Sequence, residues 1–438
     1  MLEFAPDITE LKLKQLWLFP EQLKGTIVWP IESSHTRTII PHSEVKASLQ
    51  KTTRFTDWKW PKKNIHFISD IHADADALMS SLVWSGCIKK TGIKNSDFLL
   101  TTKGKNAQIV IGGDCLDKGP CNLKMLRTLA SLIRLKKNTI LLAGNHDIRL
   151  YMGLKTLVDD QPHSKHFFVR MGTKVIPLLR EIYDEYLRET QTSHHLPSVE
   201  QCRKHLFPAA GWYKSFHTAV HKSLAPEVID LEVRKIKKKW SHFEANCDKH
   251  GLSLPMVYLA ARKCYSLFMQ PEGEFYWFFN KMQLIHREKS FLFTHAGLDD
   301  KISQTIEQSG VKQVNKLYKR LLQKNLCDFY YGEVANLLRT KYRKTDPMLT
   351  GKGVKRMHRK GIHAVVHGHV SQTDGQHISF RSGMLHFECD ITLDRNSRVK
   401  QGLSGFGAGV TTIDPAGRVT GISADSQRIK IFQPEMFF

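Results

Sequence analysis

Five short polar motifs could bring metal-binding side chains together, and each of them follows a short apolar run. Aspartate and histidine supply oxygen and nitrogen ligands that suit divalent cations such as Mn, Fe or Zn, and a carboxylate can bridge two such ions. The pattern therefore predicts a binuclear metal centre and favours hydrolysis of a phosphoester. The motifs are Ser69-Asp70-Ile71-His72, Gly113-Asp114-Cys115-Leu116-Asp117-Lys118-Gly119, Gly144-Asn145-His146-Asp147, Thr294-His295-Ala296-Gly297 and His367-Gly368-His369.

The spacing within the motifs assigns ligand roles. Asp70 and His72 are two residues apart, so at a strand end both side chains project to one side and can bind one ion. Asp114 follows two glycines, which let the backbone turn tightly and place the carboxylate between two ions. Most of the 22 histidines should be structural, so the metal-site interpretation depends on the ordered series of motifs. An amide oxygen and two imidazoles complete the candidate set: Asn145, His295 and His369.

Short β-prone runs must position these motifs. Each run ends directly at a motif, so we expect the chemistry at strand ends, where a sheet presents loops to a shared crevice. Between the first strands, 75–88 and 122–135 repeat apolar residues at helical spacing. This alternation of strands and helices predicts an α/β fold. The runs are Ile65–Ile68, Gln108–Ile111, Thr139–Leu142, Phe291–Phe293 and Ala364–Val366.

The strand signal fades between Asp147 and His295, where amphipathic segments such as 175–187 and 252–268 take over. We therefore predict that a mostly helical insertion at 150–286 divides one catalytic domain into 61–149 and 287–438. After the last motif, 384–392 and 410–414 are expected to form strands that close a second sheet.

Residues 1–60 form a separate amino-terminal arm. Its aromatic content is too high for a disordered tail, so we expect the arm to pack on the core. Its tryptophans are Trp17, Trp29, Trp58 and Trp60.

Composition limits the other properties. Lys and Arg number 65 against 42 Asp and Glu, and the net charge of +23 should attract anions such as nucleotides, nucleic acid or anionic lipid. The eight cysteines include no Cys-x-x-Cys pair, which favours reduced thiols and a cytoplasmic protein. No apolar run of about 18 residues and no secretory leader pattern occurs, so we expect no transmembrane segment. The sequence does not indicate an oligomeric state.

Two basic stretches, 234–240 and 352–360, could form a groove for a polyanion, because lysines neutralise phosphates and a tryptophan can stack a base. A solvated, charged helix face is the other interpretation of each stretch.

The motif series Asp-x-His, Gly-Asp-x-x-Asp-x-Gly, Gly-Asn-His-Asp, His-x-Gly-Leu and Gly-His resembles the calcineurin-like metallophosphoesterases, especially the phosphoprotein phosphatase and dinucleoside tetraphosphatase branch. The resemblance covers about 65–414. It implies a four-layer α/β sandwich of two mixed β-sheets flanked by helices, here with a large helical insertion.

The implied activity is hydrolysis of a phosphomonoester, including a phosphoprotein, or of a nucleoside polyphosphate, by a hydroxide that bridges two divalent ions. Manganese is favoured, with Fe, Zn, Ni or Co as alternatives. The net charge keeps a nucleic-acid or nucleotide phosphodiesterase open. A non-catalytic scaffold of the same fold that binds a polyanionic partner is a further alternative.

The resemblance also implies which residues hold each ion. The first ion would be bound by Asp70, His72 and Asp114. The second ion would be bound by Asp114, Asn145, His295 and His369. His367 is the rival for the last position, and His369 is preferred because the histidine of the family directly follows a glycine.

Two further residues acquire catalytic roles from the resemblance: His146 would donate a proton to the leaving oxygen, and Asp117 would orient its protonated ring. Lys118 departs from the pattern, because the relatives usually carry an arginine there and lysine lacks the bidentate geometry of arginine. The candidates that could compensate as phosphate ligands are Arg149, Arg339 and Arg343.

Overall fold

A computed structural model of the chain describes residues 23, 25–34, 36–159, 161–189 and 196–438. Two mixed β-sheets of seven and six strands are flanked by helices, as the sequence predicts, and a separate hairpin pairs two more strands. The strands are β1 (Thr26–Val28), β2 (Ile31–Ser33), β3 (Ile65–Ile68), β4 (Ile88–Lys90), β5 (Phe98–Leu100), β6 (Gln108–Ile111), β7 (Ile140–Leu141), β8 (Ile285–Glu288), β9 (Phe291–Thr294), β10 (Ala364–His367), β11 (His377–Arg381), β12 (Met384–Glu388), β13 (Gly409–Ile413), β14 (Val419–Ser423) and β15 (Ile429–Phe432).

Helices cover both sheets and fill the segment between β7 and β8. They are α1 (His42–Thr52), α2 (Ala75–Trp84), α3 (Thr102–Asn106), α4 (Asn122–Leu135), α5 (Asn145–Lys155), α6 (His166–Met171), α7 (Ile176–Tyr186), α8 (Val199–Leu206), α9 (Trp212–Val220), α10 (Pro226–Lys249), α11 (Leu254–Met269), α12 (Trp277–Lys281), α13 (Asp300–Lys324), α14 (Leu326–Tyr331), α15 (Asn336–Arg339), α16 (Gly351–Arg359) and α17 (Arg395–Lys400). Short 3₁₀ turns lie at Phe55–Asp57, Gly172–Val175, Glu333–Ala335 and Pro434–Met436.

The five strands that precede the motifs are divided between the two sheets. The seven-stranded sheet has the order β1-β15-β14-β13-β3-β6-β7, in which β3, β6 and β7 are parallel neighbours. The six-stranded sheet has the order β2-β11-β12-β10-β9-β8, with β9 parallel to β10. Every residue of β3, β9 and β10 is buried, as expected for central strands covered on both faces.

An apolar core joins the two sheets face to face. Phe67 on β3 packs against Phe293 on β9, with ring centroids 5.9 Å apart. Val110 on β6 and Val366 on β10 are fully buried in the same cluster. The motif-bearing ends of strands from both sheets therefore lie beside one crevice.

The carboxy-terminal strands differ from expectation. β12 joins the second sheet beside β10, as predicted, but β13 pairs antiparallel with β3, so that Thr411 lies opposite Phe67 in the first sheet. The prediction that both segments close the second sheet is therefore wrong for β13. Alternating apolar residues indicate a strand but do not indicate its neighbour.

The helix predictions hold to within a few residues, except at one end. The segment 122–135 is the whole of α4, whereas the predicted helix 75–88 ends at Trp84. Gly86 has a φ of 72°, which ends the helix and lets the chain enter β4.

The part of the arm that the structure describes packs on the sheets. β1 pairs with β15 and β2 with β11, and the rings of Trp29 and Trp58 are buried in the core between the sheets. Trp17 and the rest of 1–22 lie outside the described residues. The predicted domain boundaries remain predictions.

The described residues between β7 and β8 form helices and turns without a strand. Aromatic contacts such as Phe168 with Phe243, at 5.8 Å, pack the helices of this segment together. Among all described helices, none is long and apolar enough to cross a membrane.

Candidate metal centre

The loops that follow the strands hold the motif residues in unusual backbone conformations. Asp70, His72, Asp114 and His369 have φ values of 54°, 46°, 51° and 69°, in the left-handed region that non-glycine residues rarely adopt. Each such backbone conformation costs about 1–3 kcal/mol of folding free energy and persists only where the surrounding contacts hold it. This concentration of strain marks the crevice as a candidate functional site.

The ends of β3, β9 and β10 approach one another closely at Gly368. Its N–H donates to the carbonyl of His295 at 2.8 Å, and the N–H of His369 donates to Asp70 Oδ2 at 2.9 Å. A Cβ atom at Gly368 would lie 1.9 Å from Asp70 Oδ2. Only glycine fits this position without displacing the carboxylate.

The crevice contains two groups of candidate ligands that share one residue. The ligand atoms of Asp70, His72 and Asp114 lie within 4.8 Å of one another, and so do those of Asp114, His295 and His369. Asp114 Oδ2 lies 3.7 Å from His72 Nε2, while Oδ1 lies 3.5 Å from His295 Nε2. Asp114 is therefore the residue that the two groups share.

Each histidine of these groups donates one ring N–H to a backbone carbonyl, which turns its other nitrogen toward the ligand group. Burial lowers the pKa of His72 to about 3 and holds the pKa of His369 well below its usual range. Both rings are therefore neutral, the form that binds metal ions. The donors and carbonyls are His72 Nδ1 with Leu116 at 3.2 Å, His295 Nδ1 with Gly112 at 2.9 Å, and His369 Nε2 with Arg339 at 3.3 Å.

The amide of Asn145 tests whether a cation fits here. Its oxygen faces only acceptor atoms at 3.0–3.2 Å, namely Asp114 Oδ2, His295 Nε2 and His369 Nδ1. Its NH₂ group faces the guanidinium of Arg149 at 3.2 Å, a donor against a donor. In this orientation of the amide, a cation between the Asn145 oxygen and the other acceptor atoms would satisfy all of them. This donor set therefore fits a divalent metal ion.

His367 lies outside both ligand groups. Its Nδ1 lies 3.0 Å from the carbonyl of Gly368, and its ring packs against His386 at 5.5 Å. Its neighbour His369 reaches the ligand group instead. This placement supports His369 over His367 as the candidate ligand.

Asp390 is a buried acid of the crevice that the motif analysis missed. Burial raises the pKa of Asp70 well above its usual range, and the charges of Asp390 and Asp114 raise it further. Asp390 accepts hydrogen bonds from Ser371 Oγ at 3.1 Å and from the N–H of Thr392 at 3.2 Å. The sequence feature that could have identified Asp390 as a site residue is its position two residues after the apolar strand β12.

His146 lies beside the ligand groups without belonging to either. Its Nδ1 and Asp117 Oδ2 are 2.8 Å apart, and its Nε2 lies 4.0 Å from Asp114 Oδ2. Burial lowers the pKa of His146 well below its usual range and raises the pKa of Asp117 to about 7. The hydrogen bond therefore fixes the ring with Nε2 facing the crevice.

Helix α5 ties the second and third motifs together. The carboxylate of Asp147 accepts hydrogen bonds from the N–H groups of Gly144, Cys115 and Leu116 at 3.0–3.2 Å. The N–H of His146 in turn donates to Asp114 Oδ1 at 2.8 Å. The start of the helix thus holds the loop that carries Asp114.

The four candidate phosphate ligands are not equivalent. Lys118 Nζ lies 2.6 Å from His72 Nε2, and Arg149 contacts the amide of Asn145. The carbonyl of Arg339 contacts His369, while its guanidinium stacks on Tyr330 at 4.4 Å.

Arg343 is exposed, and among the described residues no contact joins its side chain to the crevice.

Lys174 reaches the crevice from the predicted insertion and was not found by sequence analysis. Its Nζ lies 3.5 Å from His146 Nε2. Desolvation in the crevice and the nearby charges of Lys118 and Arg149 lower the pKa of Lys174 to about 8. No local pattern marks this residue, because only the fold of the insertion brings it to the motifs.

Comparison with known proteins places the motif-bearing region in a family. Residues 63–372 match the model of the calcineurin-like phosphoesterases. A search of curated proteins found no match.

Several solved structures are similar over most of the chain. A cold-active protein tyrosine phosphatase is 15% identical, covers 91% of this chain and 85% of its own, and has a TM-score of 0.45. The enzyme of that description from a psychrophilic Shewanella species is 14% identical, with coverages of 94% and 91% and a TM-score of 0.40. A protein serine/threonine phosphatase from Saccharomyces cerevisiae is 11% identical, with coverages of 90% and 90% and a TM-score of 0.37.

Proposed function

The chain belongs to the calcineurin-like phosphoesterase family and is a metal-dependent phosphoesterase, and we propose that it hydrolyses a phosphomonoester or a nucleoside polyphosphate with two divalent cations. The observation that carries this proposal is the position of Asp114, whose carboxylate belongs to both ligand groups. Manganese is the preferred candidate, since mixed oxygen and nitrogen donors suit it, although they also suit Fe, Zn, Ni and Co.

The proposed ligands follow from the two groups in the crevice. When bound, the cations would polarise the phosphoryl oxygens and lower the pKa of the attacking water. A cation held by His72 would displace the Lys118 ammonium from Nε2 and free it to contact the phosphoryl group. The ligands proposed are Asp70, His72 and Asp114 for one cation, and Asp114, Asn145, His295 and His369 for the other.

His146 is the proposed proton donor to the leaving oxygen, and Asp117 is its positioning residue. The 2.8 Å hydrogen bond to Asp117 leaves Nε2 facing the crevice. A phosphate dianion bound beside Nε2 would raise the pKa of His146 again, because a nearby negative charge favours imidazolium. The ring could then donate its proton as the bond from phosphorus to the leaving oxygen breaks.

Arg149 and Asn145 supply donors for the phosphoryl oxygens. With the Asn145 oxygen turned to a cation, its NH₂ group and the Arg149 guanidinium face each other at 3.2 Å without an acceptor between them. An anionic oxygen would satisfy both donors. This arrangement favours a phosphate placed between the ligand groups and Arg149.

The test is a metal and substrate screen. Metal-stripped protein is assayed with Mn and with other divalent ions against 4-nitrophenyl phosphate, nucleotides, phosphopeptides, bis(4-nitrophenyl) phosphate and RNA. The proposal expects metal-dependent release of phosphate from the monoesters or nucleotides. Hydrolysis confined to the diester or RNA would identify a phosphodiesterase. Failure to hydrolyse any of these substrates with any ion would favour a binding scaffold.

A further inference from the structure

Five basic residues lie in or beside the crevice, and we call them the cationic cluster: Lys118, Arg149, Lys174, Lys239 and Arg339. Lys118, Arg149 and Arg339 belong to the predicted catalytic domain. Lys174, on the 3₁₀ turn before α7, and Lys239, on α10, belong to the predicted insertion. The insertion therefore adds positive charge to the crevice.

The members of the cluster are not paired with acidic side chains of the described residues. Across the described ranges of the chain, none of its five members forms an ion pair with a carboxylate, whereas Arg170 beside the cluster pairs with Glu232 at 2.6 Å. The buried acids in and beside the crevice include Asp70, Asp114, Asp117, Asp147 and Asp390. Asp114 and Asp117 act on Lys174 without pairing with it, and the acids that face the ligand groups would be balanced by the cations proposed there. The cluster is therefore able to bind an anion from outside the protein.

The position of Lys174 indicates on which side of a bound phosphate the cluster lies. Its Nζ lies 3.5 Å from His146 Nε2, the atom proposed to protonate the leaving oxygen. A group that contacts Lys174 would therefore lie on the leaving-group side of the phosphorus. An ammonium at this position favours a leaving group that carries negative charge.

Lys239 and Tyr330 extend the positive region away from His146. Lys239 Nζ donates to the carbonyl of Arg170 at 2.8 Å, and the charges of Arg149 and Lys174 act on it. Burial alone would raise the pKa of Tyr330, but the surrounding arginines, led by Arg170, lower it to about 7. The positive potential thus extends from Lys174 to Lys239 on the insertion and to Tyr330 on α14.

We propose that Lys174 and Lys239 bind a second anionic group on the leaving-group side, so that the preferred substrates release a phosphorylated leaving group. This inference rests on the proposed function, because it uses the role assigned to His146. The matching chemistry is a phosphoanhydride or a phosphomonoester with a neighbouring phosphate. The exposed lysines Lys237 and Lys238 on the same helix serve as controls, since Lys237 lies over the ring of Tyr213 and, among the described residues, neither contacts the crevice.

The test compares substrates that differ in the charge of the leaving group. Adenosine monophosphate releases neutral adenosine, whereas adenosine diphosphate releases an anionic nucleotide. Lys174→Gln combined with Lys239→Gln should lower kcat/KM for the diphosphate by about tenfold or more and for the monophosphate by less than about threefold. The control, Lys237→Gln with Lys238→Gln, also removes two positive charges, both of them from α10. It should change kcat/KM for the diphosphate and for the monophosphate by the same factor.

Binding to metal-stripped protein separates this inference from the proposed function. Calorimetry with inorganic tripolyphosphate should show about tenfold weaker binding to the Lys174→Gln, Lys239→Gln variant than to the control variant. If neither nucleotide is hydrolysed, the proposed function fails while this binding difference still tests the cluster. Equal binding and equal kinetics in the two variants would overturn the inference. Lys174→Gln alone serves if the double variant does not fold.

Discussion

At the scale of single residues, the motifs name most of the side chains that the fold brings together, because ligands at strand ends need a short, recognisable sequence. Asp70, His72 and Asp114 all lie in these motifs, and together they form one ligand group. Asp390 and Lys174 escape sequence analysis, since each reaches the crevice only through tertiary packing.

Asp114→Asn tests the shared carboxylate. We expect it to reduce the affinity for both cations and to lower turnover more than loss of a ligand from one group, because Asp114 is the residue that both groups share. Metal content after dialysis, compared with His72→Ala and His369→Ala, measures the effect. Two tightly held ions per chain in the variant would contradict the shared role.

His146→Ala tests the proton donor. The variant should keep its metal content but lose about two to four orders of magnitude in kcat on an alkyl phosphate. The loss should be smaller on 4-nitrophenyl phosphate, whose leaving group needs no proton. Steady-state kinetics on both substrates decide the matter, and an equal loss on the two would assign His146 another role.

At the scale of elements, the amphipathic spacing of 122–135 was sufficient to predict α4 because one of its faces is buried in the core. The same reasoning could not assign β13 to a sheet, since its partner β3 lies far away in the chain. The role of α7 in supporting the site could not be predicted from sequence patterns either. Its Glu181 accepts hydrogen bonds from the N–H groups of Asn122 and Leu123 at 2.9 and 2.8 Å.

Glu181→Ala tests how an insertion helix supports the site. Asn122 Oδ1 accepts from the N–H of Asp117 at 3.0 Å, so Glu181 holds the start of α4 and, through it, the loop of Asp117. Loss of these bonds should cost about 1–3 kcal/mol of stability. It should also lower kcat through a misplaced His146. Denaturant unfolding and kinetics measure both, with exposed Glu200→Ala as control; an unchanged unfolding midpoint would argue against the support.

At the scale of the whole molecule, the arm and the second sheet meet at a buried carboxylate. Glu388 on β12 pairs with Arg381 on β11 at 2.7 Å and with Arg37 of the arm at 2.8 Å. Burial alone would raise the pKa of Glu388, but His367, Arg381 and Arg37 lower it to about 2. Sequence patterns predicted that the arm packs on the core but could not identify this junction.

The stability of this junction should depend on pH. Because the folded-state pKa of Glu388 lies below its unfolded value of about 4.3, its contribution is present above that value and is lost as pH falls toward about 2. Glu388→Gln should lower Tm at pH 7, since it leaves buried arginine charge unpaired. Between about pH 4.5 and 2, Tm should fall less steeply in the variant. Parallel melting curves across this range would contradict the assignment.

The measurement that most directly tests the central claim is a titration of metal-stripped protein with Mn²⁺, with bound metal and hydrolysis of 4-nitrophenyl phosphate followed together. Two ligand groups that share Asp114 predict turnover that rises until about two equivalents are bound and that disappears on chelation. Full turnover without metal, or with one bound equivalent, would contradict a binuclear phosphoesterase.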